Sequence, residues 1–157
     1  MFYALGLTLI FLIINSPIHS GKAAPNVAQE PFVGKVKPIS EGLAAQIVGI
    51  SWNPGCPVGL ESLRLLEMDY WKTDGSRQRG KLIIHESVAS EVLGIFEQLF
   101  QNRFPFESIE PISSPRFGGS DNRSMDANNT SAFNCRPKTG RSKGYSVHSY
   151  GKAIDIN

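Results

Sequence analysis

The segment 88–103 constrains the fold most, because its pattern is that of an amphipathic α-helix. Its large apolar residues recur three, four or seven positions apart: Val88, Val92, Phe96, Leu99 and Phe100. That spacing places them on one helix face, which has to be buried against a second element. Ser87 is suited to cap the first turn, and Pro105 ends the pattern.

Two strands are expected directly before this helix. The stretch LEMDYWKTDGSRQRGKLIIHE predicts two strands around Asp74-Gly75, a β-turn signal within a rather long loop. ESIEPI and the terminal KAIDI predict two further strands, whereas the spacing of Leu60, Leu63 and Leu66 predicts a short helix. Strands with one strong helix, without regular βαβ alternation, predict an α+β fold. Residues 113–143 are polar and predict a long, functional loop.

The composition is that of one ordinary globular domain. The chain has 157 residues, of which 41% are hydrophobic and 19% are charged. Its formal net charge is only +2, and its Lys and Arg residues are scattered. This charge pattern disfavours a nucleic-acid partner.

The N-terminal sequence MFYALGLTLIFLIINS is an apolar run of roughly a dozen residues, too short to cross a bilayer comfortably. Small residues follow it up to Ala23 and Ala24, which predicts a signal peptide at 1–24. No Lys or Arg precedes the run, so an uncleaved membrane anchor is the alternative. Both predict export to the periplasm, cell wall or extracellular space, with a linker at 25–45 and a domain at 46–157.

Export would allow Cys56 and Cys135 to form one disulfide. Closing a loop of this size, about 79 positions, would stabilise the fold by roughly 4 kcal/mol in the chain-entropy model. Two buried free thiols are the alternative.

The chain ends in YSVHSYGKAIDIN, where His148 and Asp155 flank Gly151. If residues 151–152 form a hairpin turn, His148 lies opposite Asp155 with Cβ atoms about 5 Å apart. The imidazole and carboxylate then either bind one cation together or form a plain hydrogen-bonded pair. Period-two alternation would turn both isoleucines of AIDIN toward the core.

The stretch SVHSYGKAID matches S-x-H-x-x-G-x-A-x-D and resembles the signature of D-alanyl-D-alanine carboxypeptidase-like zinc metallopeptidases. Their fold is shared by the hedgehog signalling domain. DNRSMDANNTSAFNCRPKTG, WNPGCP and GKLIIHESVASEVLGIFEQLFQNRFPFESI resemble an exported bacterial branch of that family. The likeness covers about residues 45–157. It implies a hedgehog/DD-peptidase-like α+β fold, with a small antiparallel sheet packed with helices.

The resemblance implies a role for each matching residue. His148 and Asp155 would be two of three protein ligands to a catalytic Zn²⁺, and Gly151 would permit the turn. Ser146 would lie beside the site and bind substrate or a ligand. Arg136 would stabilise developing oxyanion charge, the alternative being a plain surface arginine. The implied reaction is hydrolysis of peptidoglycan stem peptides, by a carboxypeptidase or endopeptidase.

Residues outside the motif are expected to be structural. Asn128, Asn129 and Thr130 are predicted to order their loop through side-chain to backbone hydrogen bonds. His85 is predicted to be structural because it precedes a helix start, and His19 lies in the signal segment.

The family takes its third zinc ligand and its general base from a downstream Glu-x-x-His-like segment, whereas this sequence ends two positions after Asp155. We therefore expect a fragment without its C-terminal strands, with weak metal binding and little turnover. One alternative is a non-catalytic module on the same fold that binds cell-wall peptide or a protein partner. Another is an exported structural protein with an incidental His–Asp pair.

Overall fold

The computed structural model describes residues 31–138, 140 and 144–157, so the predicted signal segment 1–24 lies outside the described residues. Strands and helices follow one another without βαβ repetition, which confirms the α+β prediction. None of the helices within these ranges is long and apolar enough to cross a membrane. In chain order the elements are β1 (Gly34–Pro38), α1 (Glu41–Ile47), a 3-10 helix (Leu60–Ser62), β2 (Leu63–Lys72), β3 (Arg77–His85), α2 (Glu86–Gln101), β4 (Pro105–Phe106), β5 (Ser108–Ile109), α3 (Asp121–Asp126), β6 (Asn129–Thr130) and a second 3-10 helix (Val147–Tyr150).

The hairpin of β2 and β3 forms the centre of the main sheet, as the Asp74-Gly75 turn predicts. The two strands pair antiparallel from Leu63↔His85 to Trp71↔Arg77. On the other edge of β2, β1 pairs antiparallel and β4 adds a short parallel pair beyond it. β2 has neighbours on both edges and apolar clusters on both faces, so six of its ten residues are buried although four of the ten are charged.

The short helix predicted from Leu60, Leu63 and Leu66 is wrong. Leu60–Ser62 form only one turn of 3-10 helix, and Leu63 already begins β2. In the strand these leucines point to opposite faces, so Leu63 belongs to the cluster beside α1 and Leu66 to the cluster beneath α2. The spacing of Leu63 and Leu66 resembles that of one helix face, but in a strand it places the two side chains in two separate clusters.

Helix α2 covers one face of the sheet, as its amphipathic pattern requires. Its residues Ala89, Val92 and Phe96 share a buried cluster with the inward residues of β2 and β3: Leu66, Met68, Tyr70, Leu82 and Ile84. The helix cap is His85, whose Nδ1 accepts the Ser87 N–H at 3.1 Å. The prediction of Ser87 as the cap is therefore wrong, and the structural role predicted for His85 is confirmed.

Residues 34–45, predicted as part of a linker, form β1 and most of α1 instead. Asp69 on β2 holds the start of this segment, because its buried carboxylate accepts the Val33 N–H at 2.9 Å. The same carboxylate pairs with Arg77 and Arg79 on β3. β1 is exposed and carries Lys and Pro, a composition typical of edge strands and easily mistaken for a linker.

The polar segment 113–143 is not one long loop, because it contains α3 and β6, and β6 pairs in parallel with β5. Buried Asn129 organises it: the side chain accepts from Ser108 Oγ and the Glu110 N–H, and donates to Glu110 O and Ser124 Oγ. The loop-ordering role predicted for Asn129 is confirmed. Most of its partners are distant in sequence, so a local pattern does not reveal them.

Cys56 and Cys135 form a disulfide, which decides between the two alternatives that the sequence left open. The bridge spans 79 positions. It ties the turn after α1 to the segment 131–136, which lies alongside β3 through the hydrogen bond from Phe133 N–H to Ile83 O, 3.1 Å.

We predict that Asp69→Asn lowers the free energy of unfolding by about 1–2 kcal/mol at pH 7, because it removes the anion from two partly exposed arginines. Burial raises the pKa of Asp69, but the hydrogen bonds from Arg77, Arg79 and the Val33 N–H outweigh it and hold the pKa below its ordinary value. The contribution is therefore complete above the unfolded pKa of about 3.9 and is lost as the pH falls through the lower folded pKa. Urea denaturation at pH 7 and below pH 3 checks this. Asp126→Asn, at an exposed carboxylate, is the control, and a difference that persists unchanged in acid would contradict the prediction.

We predict that replacing both Cys56 and Cys135 by Ser lowers the free energy of unfolding by roughly 4 kcal/mol, because the unfolded chain regains the loop entropy. Guanidinium denaturation of the oxidised protein and the double variant measures the loss. Mass spectrometry after alkylation, with and without reductant, provides the control for bridge formation. Equal denaturation midpoints would show that the bridge contributes nothing.

Candidate metal centre

His148 lies on the 3-10 helix Val147–Tyr150, whose last residue is followed by Gly151 in the left-handed conformation, φ +64°. The predicted two-residue hairpin at this glycine is wrong. Gly151 instead closes the helical turn, and its carbonyl accepts the His85 N–H at 2.8 Å. This hydrogen bond docks the terminal segment onto the end of β3.

Asp155 reaches the same place by a different pairing from the one predicted. It forms an isolated antiparallel bridge with Ser131, through N–H···O distances of 2.9 and 3.2 Å. The predicted strand KAIDI is reduced to this one bridge. Ile154 packs against the core as expected, whereas Ile156 is 49% exposed and the prediction that it turns inward is wrong.

The His148 and Asp155 side chains face each other. The His148 Nδ1 lies 2.8 Å from the carbonyl oxygen of Ala132, and Nε2 lies 3.4 Å from Asp155 Oδ2. The imidazole is 12% exposed and the carboxylate 58% exposed. The convergence expected from the sequence is therefore present, although a 3-10 turn and a separate bridge produce it.

The contact with Ala132 fixes the tautomer of His148. A carbonyl oxygen can only accept, so Nδ1 carries the proton and Nε2 presents a lone pair in the neutral ring. A lone pair and a carboxylate oxygen that face each other can share one proton or one cation. A charge-assisted N–H···O bond would measure about 2.7–2.9 Å, and the observed 3.4 Å is longer.

The spacing fits a shared zinc ion. Two tetrahedral ligands at about 2.0–2.2 Å from zinc lie about 3.4 Å apart, which is the distance between Nε2 and Oδ2. A histidine whose other nitrogen binds a backbone carbonyl is also the usual arrangement of a metal-binding imidazole. Within the described ranges, no group of three or more His, Cys, Asp or Glu side chains is placed to hold a metal. The donor set shown is one imidazole and one carboxylate.

A small cavity of about 190 Å³ adjoins Asp155, and Arg136 and Asp121 also line it. Arg136 Nε forms an ion pair with Asp121 Oδ2. The other carboxylate oxygen of Asp121 accepts from Asn134 Nδ2 at 2.8 Å. Arg136 therefore borders the same space as the candidate metal ligand Asp155.

Ser146 is buried beside the site, and its hydroxyl caps the 3-10 helix by accepting the His148 N–H at 3.4 Å. Ser149, which the sequence did not single out, is fully buried. Its hydroxyl accepts the Arg136 N–H at 2.9 Å and lies 3.2 Å from Asn134 O and 3.0 Å from Arg136 O. A substrate contact by Ser146 stays a prediction.

Sequence reasoning missed Asp121, Asn134, Ser149 and the Ala132 carbonyl. Asp121 and Asn134 form a hydrogen bond only because α3 packs against the segment 131–136. No pattern of residue spacing predicts that tertiary contact. The role of the Ala132 carbonyl cannot be predicted from residue type, because every residue has a backbone carbonyl. The S-x-H-x-x-G pattern does contain Ser149, but at one of its variable positions.

A larger cavity of about 680 Å³ lies between α1, the sheet and the segment 109–115. It shares no lining residue with the cavity beside Asp155. Neither His148 nor Asp155 lines it.

No protein-family model matches the chain, and neither a curated protein nor a solved structure is significantly similar to it.

We predict that Gly151→Ala destabilises the protein more than Gly75→Ala. Both glycines have positive φ, but a Cβ at Gly151 would lie 2.7 Å from the backbone nitrogen of His85, whereas a Cβ at Gly75 meets nothing within 4 Å. The left-handed conformation alone costs about 1–2 kcal/mol for alanine, and the clash adds to that at Gly151. Thermal and urea denaturation of both variants compare the losses. Equal losses of the free energy of unfolding in the two variants would contradict the close approach of residue 151 to the His85 backbone.

Proposed function

We propose that this chain belongs to the D-alanyl-D-alanine carboxypeptidase-like zinc metallopeptidases, on a hedgehog/DD-peptidase-like fold, and acts on peptidoglycan stem peptides. The observation that carries the proposal is the 3.4 Å separation of His148 Nε2 from Asp155 Oδ2, with Nδ1 already bound to a carbonyl. Two donors at this separation are suited to binding one cation together. The substrate class comes from the sequence resemblance.

The residues have distinct parts in the proposed reaction. His148 and Asp155 would hold Zn²⁺, which when bound lowers the pKa of a water to about 7 and polarises a carbonyl. The Ala132 carbonyl selects the tautomer of the neutral ring that carries its lone pair on Nε2, and it orients the ring. Ser146 caps the helical turn that carries His148. Arg136, at the wall of the adjoining cavity, would stabilise negative charge that develops on the scissile carbonyl oxygen.

The disulfide supports the proposed location. Disulfides persist in oxidising compartments such as the periplasm and the cell exterior, and the Cys56–Cys135 bridge fits an exported protein. Peptidoglycan lies in the same compartment.

We expect the described residues to bind zinc weakly by themselves. They contribute one imidazole and one carboxylate, whereas catalytic zinc sites use three protein ligands. A third ligand and a general base are therefore required for efficient turnover.

A second candidate function is a non-catalytic module that binds cell-wall peptide or a protein partner. The pairing of Arg136 with Asp121 favours it, because a fixed arginine suits binding of a ligand that is already charged, whereas an arginine paired with a carboxylate stabilises charge that develops during a reaction less strongly. The two functions differ in their chemistry, since the peptidase would hydrolyse the peptide in a zinc-dependent way, whereas the module would bind the peptide without hydrolysing it.

We predict that the purified chain binds one zinc ion weakly, and that His148→Ala and Asp155→Ala each weaken binding by at least about tenfold. Isothermal titration with ZnCl₂ measures this. His85→Asn is the matched control, because asparagine still caps α2 and the site keeps both donors. Hydrolysis of a stem peptide ending in D-alanyl-D-alanine is assayed in parallel and is expected to be very slow.

Unchanged zinc affinity in both variants would contradict the proposed site. Stoichiometric zinc retained through dialysis, together with rapid hydrolysis, would contradict the expectation of weak binding. Binding of the peptide with no hydrolysis on addition of zinc would favour the binding module.

A further inference from the structure

We infer that Asp121 is a positioning residue: it holds the Arg136 guanidinium at the wall of the cavity that Asp155 borders, so that Arg136 can bind an anionic oxygen of a peptide ligand. The inference rests on the proposed function, since it deepens the role of that cavity. Nothing in the motif that carries the resemblance assigns Asp121 a part.

Asp121 is anchored on both sides. Its Oδ2 pairs with Arg136 Nε, and its Oδ1 accepts from Asn134 Nδ2 at 2.8 Å. It is the first residue of α3, and the preceding Ser120 caps the helix by accepting the Arg123 N–H at 3.3 Å. The carboxylate is therefore a fixed point rather than a mobile surface charge.

Arg136 is correspondingly restrained in its backbone. Its N–H donates to Ser149 Oγ at 2.9 Å, and its carbonyl accepts the Ser146 N–H at 3.0 Å. Cys135, directly before it, is tied to Cys56. With the backbone held, the pair with Asp121 restrains the remaining rotatable bonds of the side chain.

The Arg136 Nε atom is buried, while the side chain as a whole is 31% exposed. The side chain lines the cavity that Asp155 borders. An ordered guanidinium binds a carboxylate or carbonyl oxygen at a lower entropy cost than a mobile one. Asp121 would thus assist anion binding even though its own charge opposes it.

The cavity limits what part of a ligand enters. Its volume of about 190 Å³ is below the roughly 300–1,000 Å³ of pockets that enclose a whole small ligand. It is bordered by amides and hydroxyls as well as the charged groups: Asn122, Ser124, Asn129, Ser131 and Asn157. A single terminal residue of a peptide, with its carboxylate on Arg136, matches this size and chemistry.

The test is NMR on the full ¹⁵N-labelled chain without zinc. N-acetyl-D-alanyl-D-alanine and its C-terminal amide are titrated while the Arg136 Nε–Hε resonance is followed. We expect the acid, more than the amide, to shift this resonance. In Asp121→Asn the resonance should lose order and the affinity for the acid should fall by at least about fivefold. Asp121→Glu should restore part of the affinity.

Asp126→Asn is the matched control, because it removes the same charge from the same helix at an exposed position and should leave affinity unchanged. A merely structural role would lower stability without changing affinity in the folded variant. Equal or tighter binding by Asp121→Asn would overturn the inference, since Asp121 would then only neutralise Arg136. Absence of a carboxylate-dependent shift in the unmutated chain would also overturn it. Failure of the proposed zinc site would be distinguishable, because the chain would then not bind zinc while Asp121→Asn would still lower the affinity for the peptide acid.

Discussion

The candidate site depends on one hydrogen bond, from the His85 N–H to the Gly151 carbonyl, 2.8 Å. It joins the last residue of β3 to the residue that closes the terminal 3-10 helix. Only glycine fits there, because φ is +64° and a Cβ would strike the His85 backbone. This contact fixes where the helical turn lies on the rigid hairpin and α2. The position of His148 follows from it.

The segment 131–136 connects that anchor to the chemistry, because nearly every residue in it makes a different long-range contact. Its carbonyl at Ala132 orients His148, and its backbone at Ser131 pairs with Asp155. Further along, Phe133 contacts β3, and Cys135 forms the disulfide with Cys56. Asn134 and Arg136 both contact the Asp121 carboxylate at the start of α3. This one segment of backbone thus positions both the imidazole and the carboxylate, and also places the arginine beside the cavity that Asp155 borders.

How far the sequence predicts this arrangement depends on whether the controlling contacts are local. The β2–β3 hairpin and α2 are predictable, because turn chemistry and helical periodicity are local signals. The edge strand β1 and the 3-10 helix at His148 are not, since pairing with β2 and docking on His85 decide them. His148, Asp155 and Arg136 stand out through residue type and the resembled motif. Asp121 does not, because tertiary folding of α3 alone brings it to Arg136.

The central claim is that His148 Nε2 and Asp155 bind one divalent ion while Nδ1 keeps its proton for the Ala132 carbonyl. Long-range ¹H–¹⁵N correlation spectra of the imidazoles, recorded as ZnCl₂ is added, test it directly. The account predicts that the His148 Nε2 resonance moves with zinc while Nδ1 retains the shift of a protonated nitrogen. A zinc-dependent change at Nδ1 instead, or none at His148, would contradict it.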